Sequence, residues 1–296
     1  FVETAYTNLF FVGLSSHASA HGDDMLASTL LTIQSDEARH MANGWATLST
    51  LLQDDRNIPM IQDAMDKWSW RIHTSFGMGN MLFGDYFVTK RTESAKEMTM
   101  RWVFDDFYGG FYQKLEKFGI KPPPHLDEMI SDLDWMSHSA AIYIFGARPT
   151  FFHRYDGLND DDFEWFEKKY PGFYEHFGSF WEAYNKCKDP EDGVLILKEM
   201  GGLPNFCQVC QRPTIFPRPD ISKQRACKFG DETFIFCSDG CQNIFTKEPH
   251  HYVGFKNFYD LYEGKELSTV IQELGFVRAD GITLMAQPEL EPKRLW

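Results

Sequence analysis

The chain has 296 residues, 43% of them hydrophobic, which is enough for one large core with a small second domain or for two ordinary domains. Its formal net charge of −14 repels phosphate backbones, so nucleic acid is not expected as a partner. The 27 phenylalanines demand an apolar interior and exclude a disordered chain. No long uncharged apolar run is present, so we predict no transmembrane span and no membrane partner.

The first 200 residues are predicted to be helical, because apolar residues recur at spacings of three and four and breaks are few. A turn at His21-Gly22-Asp23-Asp24 separates the first two helices, and either aspartate could cap the second. Pro122-Pro123-Pro124 interrupts a later pair. The predicted helices span about residues 9–20, 25–52, 60–86, 94–118, 126–145, 160–167 and 173–186, and Asn159 could cap the one at 160–167.

The character of the sequence changes near Gly201, where short Phe, Ile and Thr runs, cysteine pairs and prolines replace the helical pattern. A last amphipathic helix is predicted at about 267–274, before an irregular tail. We therefore predict a mainly α protein with three regions: a helical bundle at 1–200, a small α+β knuckle at 201–255, and a helix and tail at 256–296.

The strongest local signal is Glu37-Ala38-Arg39-His40. On a helix, Glu37 and His40 are three residues apart and project from the same face, so both can reach one metal ion. Helical bundles present a Glu-x-x-His of this kind to di-iron or di-manganese centres. The alternative is that the two residues belong to an ordinary solvated helix face.

Glu3 is the candidate partner of this pair. Positions 3 and 40 lie symmetrically about the turn at 21–24, so an antiparallel helical hairpin would bring them level with each other. At about 1.5 Å rise per residue, Glu3 would then lie within one turn of Glu37 and His40.

Apolar residues follow the same helix faces as these candidate ligands, and would form a dry pocket with a metal ion at its end, as oxidation of an apolar substrate requires. The alternative is that they are simply core residues between two helices. The candidate wall residues are Phe10, Phe11, Leu30 and Ile33. Asp36 and Arg39 lie beside the ligands and suit a carboxylate partner of a metal-bound histidine with its counter-charge, or else form an ordinary ion pair.

Several segments together resemble the large hydroxylase subunit of soluble di-iron multicomponent monooxygenases, bacterial enzymes that act on methane, propane, alkenes, phenol and toluene. The resemblance covers nearly the whole chain. It is carried by Glu3-Thr4-Ala5-Tyr6-Thr7-Asn8, by Ser35 to Gly44, by Phe163 to Gly172, by Tyr262 to Leu267, and by Ala286-Gln287-Pro288 with Leu295-Trp296.

The resemblance implies a ferritin-like bundle in which Glu3, Glu37 and His40 ligate iron. It also implies that Thr7 delivers protons or gates oxygen activation, and that Asn8 controls access to the centre. The implied reaction inserts one atom of O2 into a small hydrocarbon, a short alkane or alkene or a phenol-type aromatic. The alternative class is a ferritin-like di-iron oxidase or iron-binding protein without hydroxylase activity, and a further one is a non-catalytic scaffold.

The family's site needs four carboxylates and two histidines, and the upstream Glu and Glu-x-x-His that supply its first half have no counterpart here. Glu248-Pro249-His250-His251 is not counted, because a proline interrupts it. Together with the missing initiator Met, this predicts a C-terminal portion of a longer subunit or one piece of a split one, holding half of a di-iron site.

Four cysteines form a Cys-x2-Cys and a Cys-x3-Cys pair, a spacing typical of a closed structural zinc site, with mononuclear iron as the less favoured occupant. They are Cys207, Cys210, Cys237 and Cys241. The segment also resembles the treble-clef-like modules of phenol hydroxylase-type subunits, which favours a substrate other than methane. Cys187 and Cys227 are interpreted as ordinary small side chains.

The resemblance further implies partners that this chain does not contain. They are a β subunit with or without a γ subunit, a small regulatory protein, and an NADH-dependent reductase with FAD and a 2Fe-2S cluster, in an (αβ)2-type assembly. A bacterial cytoplasmic location is expected, because paired cysteines in a metal site suit a reducing compartment.

Overall fold

The protein is mainly helical, as the sequence predicts, with one small two-stranded sheet among the residues described. The computed structural model describes residues 9–87, 91–142, 145, 157–186, 205–212, 224–265, 267–273 and 275. The chain divides into two compact units, 1–137 and 138–296. The predicted regional boundaries near 200 and 255 stay predictions, and residues 187–204 lie outside the described part.

The first unit opens with the predicted helical hairpin. A π-helical turn at Leu9–Gly13 leads into Leu14–Ala20, and after a turn the second helix runs over Asp24–Leu51. Gly22 has φ +82°, a left-handed conformation that suits glycine, and the Asp23 carboxylate accepts the Leu26 N–H at 2.9 Å. Of the two predicted caps, Asp23 is therefore the one that caps the helix.

The helices that follow the hairpin, up to residue 141, come in the order that the sequence predicts. The predicted helix at 126–145 is broken at 133–135, and the helix at 94–118 starts after a Ser94 capping box with Glu97. The bounds are Ile58–Ile72, the π-helical His73–Gly77, Met78–Tyr86, Ala95–Thr99, the π-helical Met100–Tyr108, Gly109–Leu115, Leu126–Asp132 and Met136–Ala141.

A buried carboxylate joins three of these helices. Asp85 accepts the backbone N–H of Ala95 at 2.8 Å and the Ser137 hydroxyl at 2.5 Å. Next to it, Gly84 packs so closely that an added Cβ would lie 2.9 Å from the Ala95 Cβ. The charge is thus compensated by hydrogen bonds from helices that are distant in sequence, which fixes their relative positions.

A second buried polar pair lies elsewhere in the first unit. His73 and Asp132 are 1% and 3% exposed, and His73 Nε2 is 3.1 Å from Asp132 Oδ2. The two residues are 59 positions apart. Loss of one partner would leave the other buried without its compensating contact, so the pair holds the π-helical turn against Leu126–Asp132.

The helices of the second unit pack around an aromatic cluster. They are Asp160–Lys169, the π-helical Tyr174–Gly178 and Ser179–Lys186, and Asn159 caps the first of them as the sequence indicates. The buried ring of His138 lies 4.3 Å from the Tyr170 ring and 4.7 Å from the Phe173 ring, centre to centre.

The cysteine region forms a small module with its own core. Strand β1, Arg225–Phe229, pairs antiparallel with strand β2, Glu232–Phe236, so that Cys227 lies opposite Phe234. The helix Asp239–Lys247 follows and buries Phe245 against the rings of Phe234 and Phe236. The short helices Phe258–Tyr262 and Leu267–Glu273 come after it.

None of the helices described is both long enough and apolar enough to span a membrane.

The Asp23 cap makes a testable contribution to the hairpin. Replacing Asp23 with Ala removes the acceptor of the Leu26 N–H, so we expect the free energy of unfolding to fall by about 0.5–2 kcal/mol. Denaturant unfolding measures the change. Asp23→Asn keeps a good capping side chain and serves as the control; equal losses in both variants would contradict the capping role.

Glu167 makes the second unit sensitive to acid. The Tyr174 and Gly172 backbone N–H groups donate to its carboxylate at 2.9 and 2.8 Å, and they lower its pKa below 4.5. Because the folded-state pKa is depressed, this stabilisation is complete above pH 4.5 and is lost as the pH falls through the lowered value. Glu167→Gln should therefore lower stability at neutral pH and flatten its acid dependence in denaturant titrations, whereas Glu164→Gln on the same helix should not.

Candidate metal centres

Glu37 and His40 lie on one face of the helix Asp24–Leu51, as the spacing predicts. His40 Nδ1 is 3.1 Å from Glu37 Oε2, and the side chains are 56% and 18% exposed. Two ligand atoms, each about 2.1 Å from one ion and at right angles to each other, are about 3.0 Å apart. The two side chains make a direct hydrogen bond, and its length is also the separation of neighbouring ligands of a single metal ion.

Asp36 and Arg39 form a direct ion pair one step around the same helix. Their side chains are 62% and 73% exposed, so the pair by itself contributes little to stability. In the described structure, Asp36 and Arg39 contact each other. A hydrogen bond between Asp36 and the His40 ring stays a prediction. The described structure is equally compatible with an ordinary surface ion pair.

Three predicted site residues, Glu3, Thr7 and Asn8, lie outside the described residues. The described residues include the inner half of the helical hairpin that was predicted to bring Glu3 to Glu37 and His40. There the Ser15 hydroxyl donates to the Ala27 carbonyl at 2.9 Å, and these two positions are symmetric about position 21. This register agrees within one residue with the symmetry predicted from the sequence.

The predicted apolar wall is divided between buried and exposed positions. Leu30 is 7% exposed and Ile33 is 39% exposed, while Phe10 and Phe11 are half-buried with their rings 5.4 Å apart, edge to face. Phe10 also lines a narrow, mostly apolar pocket. The other residues of that pocket are Gly13, Leu14, Asn80, Gly84, Ala95, Met98 and Thr99.

The four cysteines meet at one point in the small module. Their sulfur atoms all lie within 4.8 Å of one another, and Cys237 Sγ is 3.7 Å from both Cys210 Sγ and Cys241 Sγ. Thiolates about 2.3 Å from one ion at the corners of a tetrahedron have sulfur atoms about 3.8 Å apart. We call this cluster the four-cysteine site; its geometry can hold one tetrahedral metal ion.

Local backbone structure explains why the sulfurs converge. Cys207 N–H donates to the Arg212 carbonyl at 2.8 Å and closes a tight loop, in which Gln211 takes a left-handed φ of +58°. Cys237 directly follows strand β2, and Cys241 lies in the first turn of the next helix, whose N-cap is Ser238. A loop and a helix N-terminus thus each supply two thiols.

The charges at the four-cysteine site favour a thiolate at Cys210, whereas burial raises the pKa of the Cys207 thiol and its sulfur contacts raise the pKa of the Cys241 thiol. Sulfur contacts with Cys207, Cys237 and Cys241 hold the pKa of the Cys210 thiol well below its usual range. The buried Arg212 guanidinium reinforces this, since its Nε donates to Cys210 Sγ at 3.4 Å. Sequence reasoning did not identify Arg212, although its position two residues after a predicted ligand could have pointed to it.

Gln208 was also not identified from the sequence. It lies between two of the cysteines, is 4% exposed, and donates its side-chain amide to two backbone carbonyls more than 40 residues away. Glutamine at this position carries no local signal, because its partners are brought to it only by the tertiary fold.

The described structure thus combines a mainly helical unit that carries a Glu-x-x-His face with a module whose four convergent thiols could hold a metal ion. Comparison with known proteins identifies the relatives of this chain. A family model described as methane, phenol and alkene hydroxylase matches residues 1–55. The structure of xenon-pressurised phenol hydroxylase from Pseudomonas sp. OX1 is similar, with a TM-score of 0.72 and 28% identity over 92% of this chain and 56% of that one.

Curated relatives match almost the whole chain. The large subunit of the propane 2-monooxygenase hydroxylase component from Rhodococcus jostii is 34% identical over 99% of this chain and 58% of its own length. The methane monooxygenase component A alpha chain of Methylococcus capsulatus is 30% identical, over 99% and 57%. The chain therefore spans somewhat under three fifths of these relatives, and it is homologous to the large hydroxylase subunits of this group of monooxygenases.

The four-cysteine site makes a direct prediction about metal content. Cys237→Ser removes a buried ligand at the centre of the cluster, so we expect bound metal to fall from about one ion per chain to near zero and the module to lose stability. Elemental analysis and thermal unfolding measure both effects. Cys227→Ser, on the adjacent strand and outside the cluster, is the matched control and should retain the metal.

Proposed function

We propose that this chain is part of the catalytic hydroxylase subunit of a bacterial di-iron monooxygenase that inserts one atom of O2 into a small hydrocarbon. The observation that carries the proposal is the 3.1 Å approach of Glu37 and His40 on one helix face, in a chain homologous to hydroxylase large subunits. A carboxylate and an imidazole at this separation can ligate one iron ion.

The ligand set proposed from this chain is Glu3, Glu37 and His40, and residues outside this segment would complete the di-iron site. The register of the hairpin supports Glu3, since a hairpin symmetric about position 21 pairs position 3 with position 39. Bound iron would supply the electrons that activate O2. The protein's part is to position the ligands, to exclude water and to move protons, for which Thr7 and Asn8 are the proposed residues.

The substrate class is proposed from the apolar residues that the sequence predicts to form the wall of the site. Phe10, Phe11 and Leu30 are buried or half-buried, and a pocket of such side chains selects small apolar molecules by size. We propose Ile33 as a fourth wall residue. Among short alkanes, alkenes and phenol-type aromatics we favour a short alkane or alkene, which is supported by the 33–34% identity to four propane 2-monooxygenase large subunits.

The partners are proposed from the same homology, since the relatives' printed names describe components of larger systems. We propose a β subunit in an (αβ)2-type assembly, a small regulatory protein, and an NADH-dependent reductase with FAD and a 2Fe-2S cluster. We also propose a bacterial cytoplasmic location, because paired cysteines in a metal site suit a reducing compartment.

For the four-cysteine site we propose structural zinc. The four sulfurs are buried or half-buried, and they approach a closed tetrahedron that leaves no open coordination position for substrate. Mononuclear iron would fit the same thiolates. The elemental analysis of the Cys237→Ser experiment, which separates zinc from iron, therefore decides the identity of the ion as well as its number.

The iron assignment is tested in the assembled hydroxylase. Glu37→Ala and His40→Ala each remove a proposed ligand, so we expect iron content to fall and alcohol formation from propane to drop at least about 100-fold, since removing even an outer-shell partner of a metal ligand costs 10–100-fold. Asp24→Asn changes a carboxylate at the start of the same helix and should leave both quantities unchanged. Full activity in Glu37→Ala would contradict the ligand role and favour a scaffold.

The same preparation separates hydroxylation from simple iron oxidation. The enzyme is reduced without oxygen and then exposed to O2 and propane. Formation of alcohol supports the proposed monooxygenase, whereas peroxide without alcohol would identify a ferritin-like oxidase.

A further inference from the structure

The side chain of Gln208 joins the four-cysteine site to a distant segment. Its Nε2 donates to the Tyr252 carbonyl at 2.9 Å and to the Phe255 carbonyl at 2.8 Å. Its Oε1 accepts from the Asn257 side-chain amide at 3.1 Å. Both amide hydrogens and the carbonyl oxygen of this buried side chain are therefore used, all of them on residues 252–257.

Asn257 carries the connection into the next helix. Its Oδ1 accepts the Asp260 N–H at 3.0 Å, and its own N–H donates to Asp260 Oδ2 at 2.8 Å, which forms the capping box of Phe258–Tyr262. Its Nδ2, which the cap does not use, donates to Gln208. The start of this helix is thus held by the side chain of Gln208, a residue that lies between Cys207 and Cys210 in the sequence.

The position of Gln208 depends in turn on the loop that carries Cys207 and Cys210. Its backbone N–H donates to the Ile235 carbonyl at 2.9 Å, and the Gln211 N–H closes the loop on the Cys207 carbonyl at 3.0 Å. Converging thiolates repel one another unless a cation lies between them, so a bound metal ion would add a restraint on this loop to these hydrogen bonds.

We propose that Gln208 is a positioning residue through which metal binding at the four-cysteine site orders residues 252–262. With metal bound, the Gln208 amide holds the turn at 252–257 and the capped helix Phe258–Tyr262; with metal removed, the loop moves and that segment is released. The inference rests on the proposed metal site and adds to it a role in organising the chain that follows.

Hydrogen exchange of the 258–262 amides in the full chain, followed by mass spectrometry, tests this coupling, with zinc content measured on the same samples. In Gln208→Leu we expect about one zinc per chain and roughly tenfold faster exchange, because three hydrogen bonds are lost. Stripping zinc from the unmodified protein should give the same acceleration. Stripping it from the variant should add little, because the coupling is already broken.

Two further variants make the outcome decisive. Asn257→Asp keeps the helix cap but removes the amide that donates to Gln208 and, at 3.4 Å, to the Phe206 carbonyl, so exchange should accelerate at full zinc content. Gln242→Leu, the same substitution next to Cys241 on the neighbouring helix, is the matched control and should leave exchange unchanged.

Full zinc with unchanged exchange in both Gln208→Leu and Asn257→Asp would overturn the coupling while leaving the metal site intact. Loss of zinc in Gln208→Leu together with normal exchange in Asn257→Asp would also overturn it, since Gln208 would then only support the ligands. An unmodified protein that takes up no metal would instead overturn the metal proposal itself.

Discussion

The register between the two helices that meet at residues 21–23 is the constraint on which the proposed iron site depends. A metal ion accepts ligands only within about 2.1 Å, so a carboxylate from one helix and a carboxylate–imidazole pair from the next must be level to within a turn. The left-handed Gly22 and the Asp23 cap set where the first helix ends and the second begins. The Ser15–Ala27 hydrogen bond then shows the alignment that results.

The helices that follow the hairpin in the first unit are held together by compensated buried charge as well as by apolar packing. Asp85 is satisfied by Ala95 and Ser137, and His73 is paired with Asp132. Such groups are costly to bury unless every contact is made, so they allow few alternative arrangements of the helices. A metal-binding scaffold benefits from this, because ligand geometry must be held within fractions of an ångström.

The second unit obtains order by other means. Aromatic rings around His138 fill its helical part, whereas the small module has only a short hairpin, one longer helix and a few phenylalanines. A core of that size supplies little stability by itself, which explains why four thiols converge there on one position. Through Gln208, the same site reaches the segment that follows.

Local chemistry was readable from the sequence. The sequence predicted the helices, the caps at Asp23 and Asn159, and the grouping of the four cysteines. Helices and caps depend on neighbours a few residues away, and each cysteine pair is recognised by its short spacing. The relation of Glu37 to His40 was predictable for the same reason, since an α-helix places every third or fourth residue on one face. The family resemblance added the chemistry that these residues serve.

Only the tertiary structure decided which distant groups meet. The hydrogen bond of Asp85 with Ser137, the His73–Asp132 pair and the contacts of Gln208 all join residues tens of positions apart, and no short pattern encodes such contacts. The sequence also did not predict how exposed each side chain is. Leu30 and Ile33 follow the same helical pattern, yet Leu30 is buried and Ile33 is 39% exposed. The physical reason is that periodicity states which face a residue occupies, whereas burial depends on what packs against that face.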